Sequence, residues 1–338
     1  MTLILLVILA GLIFTYINGF HDTANSIATV VATKVLSPRQ AVMMAAVTNL
    51  VGAFFGTAVA KTISSVLVDA KVATSEVLIC AWVAAIFWNL LTWWFGWPAS
   101  SSHALIGGLC GAALAASHNH WGAIIWSEPS SKHWWLGNGL LWKVVIPMIA
   151  SPILGLVLGF CFMGLLYFLL RNWRPITVNR VFGKLQLVSS AYMGFGHGMN
   201  DAQKTMDIIA LALLTGTTSG VFYQLPSWLS FLRVEVPAAG QPMSIAHWIT
   251  VLYALTMCAG TAAGGWRIIK TLGHKMVRLH PVNGFAAETT SATILWTAAW
   301  FGMPVSTTHA VTTSIMGVGC AKGFNQMKFE VVERIIWA

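Results

Sequence analysis

The chain has 338 residues, 57% of them hydrophobic and only 9% charged, with a mean hydropathy of +0.73. Soluble domains carry roughly 25% charged residues, so this composition excludes an ordinary soluble domain and points to an all-α polytopic membrane protein. The net charge of +9 is gathered partly in two basic stretches (Arg171, Arg174, Arg180 and Lys184; then Lys270, Lys275 and Arg278), which read as cytoplasmic topology signals and not as a nucleic-acid surface.

In chain order, Thr2–Ile17 is a first helix retained in the membrane, since it lacks the basic start and small-residue cleavage site of a signal peptide. A polar interruption, NGFHDTANS, leads into a short segment, Thr23–Ala32. Long apolar helices are predicted over Gln40–Ala60 and Val77–Trp97, then a short one over Ser101–Ala116. Ser117–Trp142, rich in Trp, Ser and Gly, reads as an interfacial loop before a long helix, Val144–Leu170. The second half runs Leu185–Gly198, Ala202–Leu214, a Pro-containing loop over Thr217–Pro242, Ile245–Ile269, Gly284–Gly302 and Thr307–Ala321. The five cysteines lie singly in apolar runs without metal spacing and read as small buried side chains.

Two polar motifs occur once in each half, in the same order. NGFHDTANS (Asn18–Ser26) matches HGMNDAQKT (His197–Thr205), and WFGWPASSSHA (Trp94–Ala104) matches WFGMPVSTTHA (Trp300–Ala310). From Trp94 against Trp300, eight of eighteen positions are identical. Gly52 and Gly56, and Gly260 and Gly264, add a weaker correspondence with a spacing suited to close helix contact. The chain therefore divides into a repeat over 1–170, a basic loop over 171–184 and a second repeat over 185–338. The second repeat is expected to lack its last helix, the mate of Val144–Leu170. Short interrupted segments at matching places point to discontinuous helices around a substrate site near the membrane midplane.

The chemistry follows from these motifs. Pro98 and Pro304 break the preceding helix, and Ser100 and Ser306 are strong N-cap types. Each pair starts a new helix whose free N–H groups and dipole attract anions. The triplets Ser100, Ser101, Ser102 and Ser306, Thr307, Thr308 add hydroxyl donors, so two such ends facing each other would cradle a small oxyanion. Asp22 and Asp201 occupy equivalent positions, where a carboxylate is costly unless it binds an ion, relays a proton or lines water; the plainer reading is that each caps a short helix. Asn25 and Lys204, three residues on, face the same side and are candidate phosphate ligands beside the hydroxyl triplets. His21, neighbour of Asp22, is a candidate proton carrier, and its mate Asn200 is a candidate for cation coupling. His103 and His309 are supporting candidates. Glu288 is a further coupling candidate, or is paired structurally with a basic residue; Asp207 could neutralise Lys204.

These residues resemble the PiT family of inorganic phosphate transporters, which carries in each half an N-D signature and a P-x-S-S/T-T/S-H segment; the resemblance extends from about Phe14 to Met316, and NGFAAE resembles another family stretch. It implies an inverted-repeat membrane fold and phosphate uptake coupled to Na⁺ or H⁺, with Asp22, Asn25, Asp201 and the hydroxyl triplets binding phosphate and cations. Where many members have Asn-Asp this chain has His21-Asp22, and Lys204 stands opposite Asn25. These nitrogen groups replace oxygen ligands preferred by Na⁺, so H⁺ is favoured, in the manner of a bacterial branch thought to carry metal–phosphate complexes. The expectation is a multi-pass symporter of the bacterial cytoplasmic membrane, not an enzyme and without a cofactor, whose partners are inorganic phosphate and the lipid bilayer, compatible with a homodimer. A sulfate permease of the same fold is the nearest alternative; an anion channel and an intramembrane hydrolase are remoter ones.

Overall fold

The computed structural model describes residues 2–55, 67–68, 72–129, 137–236, 245–271 and 279–323. Gly56, Lys275, Arg278 and the end of the predicted Gln40–Ala60 helix lie outside them. The described residues are almost wholly helical: α1 (Thr2–Ala32), α2 (Pro38–Ala53), α3 (Ser75–Phe95), α4 (Ser101–Ala116), α5 (Ile146–Leu170), α6 (Pro175–Thr218), α7 (His247–Ala263), α8 (Trp266–Lys270), α9 (Pro281–Trp300) and α10 (Thr307–Lys322). The segment between α4 and α5 holds a two-residue antiparallel pair, Glu128–Pro129 with Gly137–Asn138, and a π turn over Leu141–Val145. α1, α3 and the Leu141–Leu170 run are long and apolar enough to cross a membrane. α5 exposes Ile149, Ile153, Val157, Phe160 and Phe168, an apolar face that lipid would cover and water would not favour.

Two expected breaks are absent. α1 continues through Asn18–Asn25, and α6 runs unbroken for 44 residues through His197–Lys204. Neither stretch contains proline, and Asp22, Asn25 and Lys204 find partners on other helices, so nothing opens the backbone. Asp22 and Asp201 therefore lie mid-helix, which rules out the capping reading. α6 also begins at Pro175, so the link between the halves shrinks to the four residues after α5, and Arg180 and Lys184 are helical. The predicted Ile245–Ile269 helix is in turn broken at Gly264, whose φ is +73°, between α7 and α8.

α1 and α6, the carriers of the first motif pair, run antiparallel. Gly216 lies against Ile4 and Gly11 against Ile209, while at the other end Thr33 bonds Gln186 and Ser190 bonds the Ser26 carbonyl. One apolar cluster gathers around Phe14, Trp82, Ile209 and Tyr253, and a second around Ile27, Met193, Leu295 and Ile315. Both long helices pass through both clusters, with their polar middles in between.

The weaker glycine correspondence has a structural meaning. A Cβ on Gly260 of α7 would strike the Tyr16 carbonyl of α1, and one on Gly52 of α2 would strike the Phe195 carbonyl of α6. Gly19 and Gly198 sit across the same two crossings, against the backbones of Met257 and Asn49. Each half thus lays its long polar helix directly on the glycine helix of the other half. Only a residue without a side chain permits backbones this close.

Candidate functional site

The two predicted helix starts are real and nearly identical. α3 ends at Gly96 in the left-handed region (φ +67°), and Gly302 after α9 does the same (φ +64°). A tight turn follows at each proline, where the Ala99 and Val305 N–H groups donate to the Trp97 and Met303 carbonyls at 2.9 Å, and Ser100 and Ser306 take cap conformations, with φ, ψ of −97°, 111° and −78°, 115°. Each serine Oγ accepts from the backbone N–H three residues on, His103 and His309, at 3.2 Å. The two ends meet: the His103 and His309 rings are 5.1 Å apart, and the Thr308 hydroxyl donates to the Ala99 carbonyl at 2.9 Å. All six triplet hydroxyl residues are buried.

The middles of α1 and α6 close the site from the other side. The Ser101 hydroxyl donates to Asp22 Oδ2 at 2.6 Å, and His21 Nδ1 lies 2.9 Å from Oδ1, with its Nε2 3.2 Å from the Thr92 hydroxyl. Asn25 Nδ2 donates to the Thr308 hydroxyl at 3.0 Å and reaches Thr307 at 3.3 Å. Opposite, Thr307 Oγ1 lies 3.5 Å from Asp201 Oδ2, and His197 Nε2 lies 3.0 Å from the same oxygen. Lys204 Nζ donates to Asp201 Oδ1 at 2.7 Å, Ser102 Oγ at 2.6 Å and the Val305 carbonyl at 3.0 Å. The pattern is crossed. Each aspartate meets the hydroxyl cluster of its own half, whereas Asn25 and Lys204 each meet the cluster of the other half.

Asp22, His197 and Asp201 bring one ligand atom each within 4.8 Å of one another, all buried. Two carboxylates and an imidazole can hold a proton or a cation; the imidazole suits a transition metal better than Na⁺. His197 was not singled out by the sequence. Its signal was its place one helical turn before Asp201, and Asn49 fixes its other nitrogen at 3.2 Å.

Glu288 forms a separate centre. It accepts from Thr29 at 2.5 Å, from Gln186 Nε2 at 3.1 Å and from Ser189. These partners are neutral, so pairing with a lysine or arginine is not what holds it among the described residues. Thr29 is seven residues beyond Asp22, about 10 Å along the helix. Asn200 is fully buried, yet its amide bonds none of these groups. Lys204 takes Asp201 as its carboxylate partner.

The comparisons with known proteins agree with one another. The family model described as "Phosphate transporter family" matches residues 18–338. A Bacillus subtilis protein described as a probable low-affinity inorganic phosphate transporter is 38% identical over 99% of this chain and 91% of its own length. A Mycobacterium leprae relative with the same description is 39% identical, covering 99% of this chain and 73% of its own. A solved structure titled the sodium-dependent phosphate transporter superposes with a TM-score of 0.81 at 23% identity, covering 100% of this chain and 94% of that one.

Proposed function

Since the chain belongs to the phosphate transporter family, we propose that it takes up inorganic phosphate by cation symport across a bacterial cytoplasmic membrane, with H⁺ favoured over Na⁺. The carrying observation is the crossed site, where two buried helix N-termini and two carboxylates meet. Phosphate is placed between the starts of α4 and α10. There it accepts from the hydroxyls of Ser101, Ser102, Thr307 and Thr308 and from the free amides of the first turns. Phosphate keeps a proton near neutral pH, and a carboxylate at Asp22 or Asp201 can accept it.

Coupling is assigned to Asp22 with His21 and to Asp201 with His197. A proton held between carboxylate and imidazole offsets the anion's charge, and the same groups could receive a divalent cation travelling with phosphate. Glu288 is the third coupling candidate. The repeats, 1–170 and 185–338, are read as oppositely oriented, in keeping with the antiparallel α1 and α6. Alternating access then turns on the cross-repeat bonds Asn25–Thr308, Thr308–Ala99 and Lys204–Ser102. These release as one repeat moves against the other.

The test is uptake of labelled phosphate by purified protein in liposomes under an imposed pH or Na⁺ gradient. Uptake should follow the pH gradient and resist excess sulfate. Uptake that needs Na⁺ and ignores the pH gradient rejects proton coupling, and full competition by sulfate rejects the substrate.

A further inference from the structure

Lys204 has three N–H donors, and all three are used by protein oxygens: a carboxylate, a hydroxyl and a backbone carbonyl, on three different segments. Oxygens of these three kinds, converging at 2.6 to 3.0 Å, are what a small monovalent cation would choose as ligands. The repeat supplies a second copy. The mates of Asp201, Ser102 and Val305 are Asp22, Thr308 and Ala99. The structure brings Thr308 and Ala99 together at 2.9 Å, with Asn25 on Thr308 at 3.0 Å. On this side the residue in place of Lys204 is an uncharged amide.

We propose that Lys204 serves as a tethered cation filling one of two equivalent oxygen cages, so that only its mate at Asp22 takes an exchangeable coupling cation. This narrows the coupling assigned above to the Asp22 side and leaves Asp201 as the fixed counter-charge of the ammonium. The ammonium is then no phosphate ligand. It supplies permanently the positive charge that a symporter with an asparagine there would have to draw from solution. One mobile charge accompanies each phosphate instead of two. This rests on the phosphate-symport reading above and deepens it.

The decisive variant is Lys204→Asn, which gives both sides the same residue. Binding of labelled phosphate to purified protein is measured in choline buffer at fixed pH while Na⁺ is titrated. In choline, Lys204→Asn should bind phosphate roughly 10- to 100-fold more weakly than wild type, the scale of one charge-assisted contact. Na⁺ should restore binding, with a Hill coefficient about one unit above that of wild type. A folded variant that binds like wild type in choline overturns the proposal, as does one that no Na⁺ concentration restores. Should Lys204→Asn not be recovered folded, the charge-balanced Asp201→Asn with Lys204→Met removes the cage's carboxylate as well. It is expected to gain no Na⁺ response, and a gain there would place the cation elsewhere and refute the idea. Wild-type protein that binds no phosphate at all would instead fail the transport reading itself.

Discussion

The Asp22 and Asp201 sides of the site share one backbone plan and differ in charge. Asp22 is held by a hydroxyl and an imidazole, Asp201 by an ammonium, an imidazole and a longer hydroxyl contact. The geometry recurs on both sides, in cap angles, helix crossings and crossed contacts, while one residue, Lys204 opposite Asn25, makes the electrostatics differ. The strongest way to break this comparison is to neutralise each carboxylate in turn. Asp201→Asn leaves a buried ammonium without its counter-charge, which costs about 3–5 kcal/mol. Asp22→Asn leaves neutral or adaptable partners and should cost about 1–3 kcal/mol. Thermal unfolding in detergent reads the difference, and both variants should lose gradient-driven uptake. Equal destabilisation would mean that the Lys204–Asp201 pair is not what distinguishes the two sides.

The glycine crossings test the symmetry of the frame instead of its charge. Gly52 and Gly260 each lie under a backbone carbonyl of the opposite half, and a valine at either would have to push two helices apart. Overpacking of this kind costs about 1–3 kcal/mol, and rigid backbone on the far side favours the upper end. Gly52→Val and Gly260→Val should lower the melting temperature by similar amounts. Gly107 and Gly111 on α4 meet nothing within 4 Å, so alanine at either should cause no loss in the same assay and gain up to about 1 kcal/mol from helix propensity.

What the sequence made legible follows the range of the forces involved. The starts of α4 and α10 are written locally, because a left-handed glycine, a proline and a capping serine within a few residues leave the chain little choice. In sequence α1 and α6 look interrupted, because polar residues inside an apolar run resemble breaks when their partners are invisible. Those partners are remote: Asp22 meets Ser101, Asn25 meets Thr308 and Lys204 meets Ser102. Glu288 shows the same limit. Its carboxylate could be flagged from chemistry, but Thr29, Gln186 and Ser189 reach it from two other helices. His197 was legible only in part, as a turn-spaced neighbour of Asp201, since its place beside Asp22 depends on how α1 packs against α6.

The smallest expected loss is also the finest test of equivalence. Ser100 and Ser306 accept the same backbone bond at the same 3.2 Å, so Ser100→Ala and Ser306→Ala should each cost about 1 kcal/mol, the usual value of a lost N-cap. Each removes one acceptor from a helix start whose other amides stay aimed at the anion site, so phosphate binding should weaken only a few-fold. The two variants should agree within about 0.5 kcal/mol, the scatter expected of matched sites. A much larger cost at Ser306 would show that the second helix start leans on its cap more heavily than the first. The pseudo-symmetry would then extend to the backbone without extending to the energy that holds it.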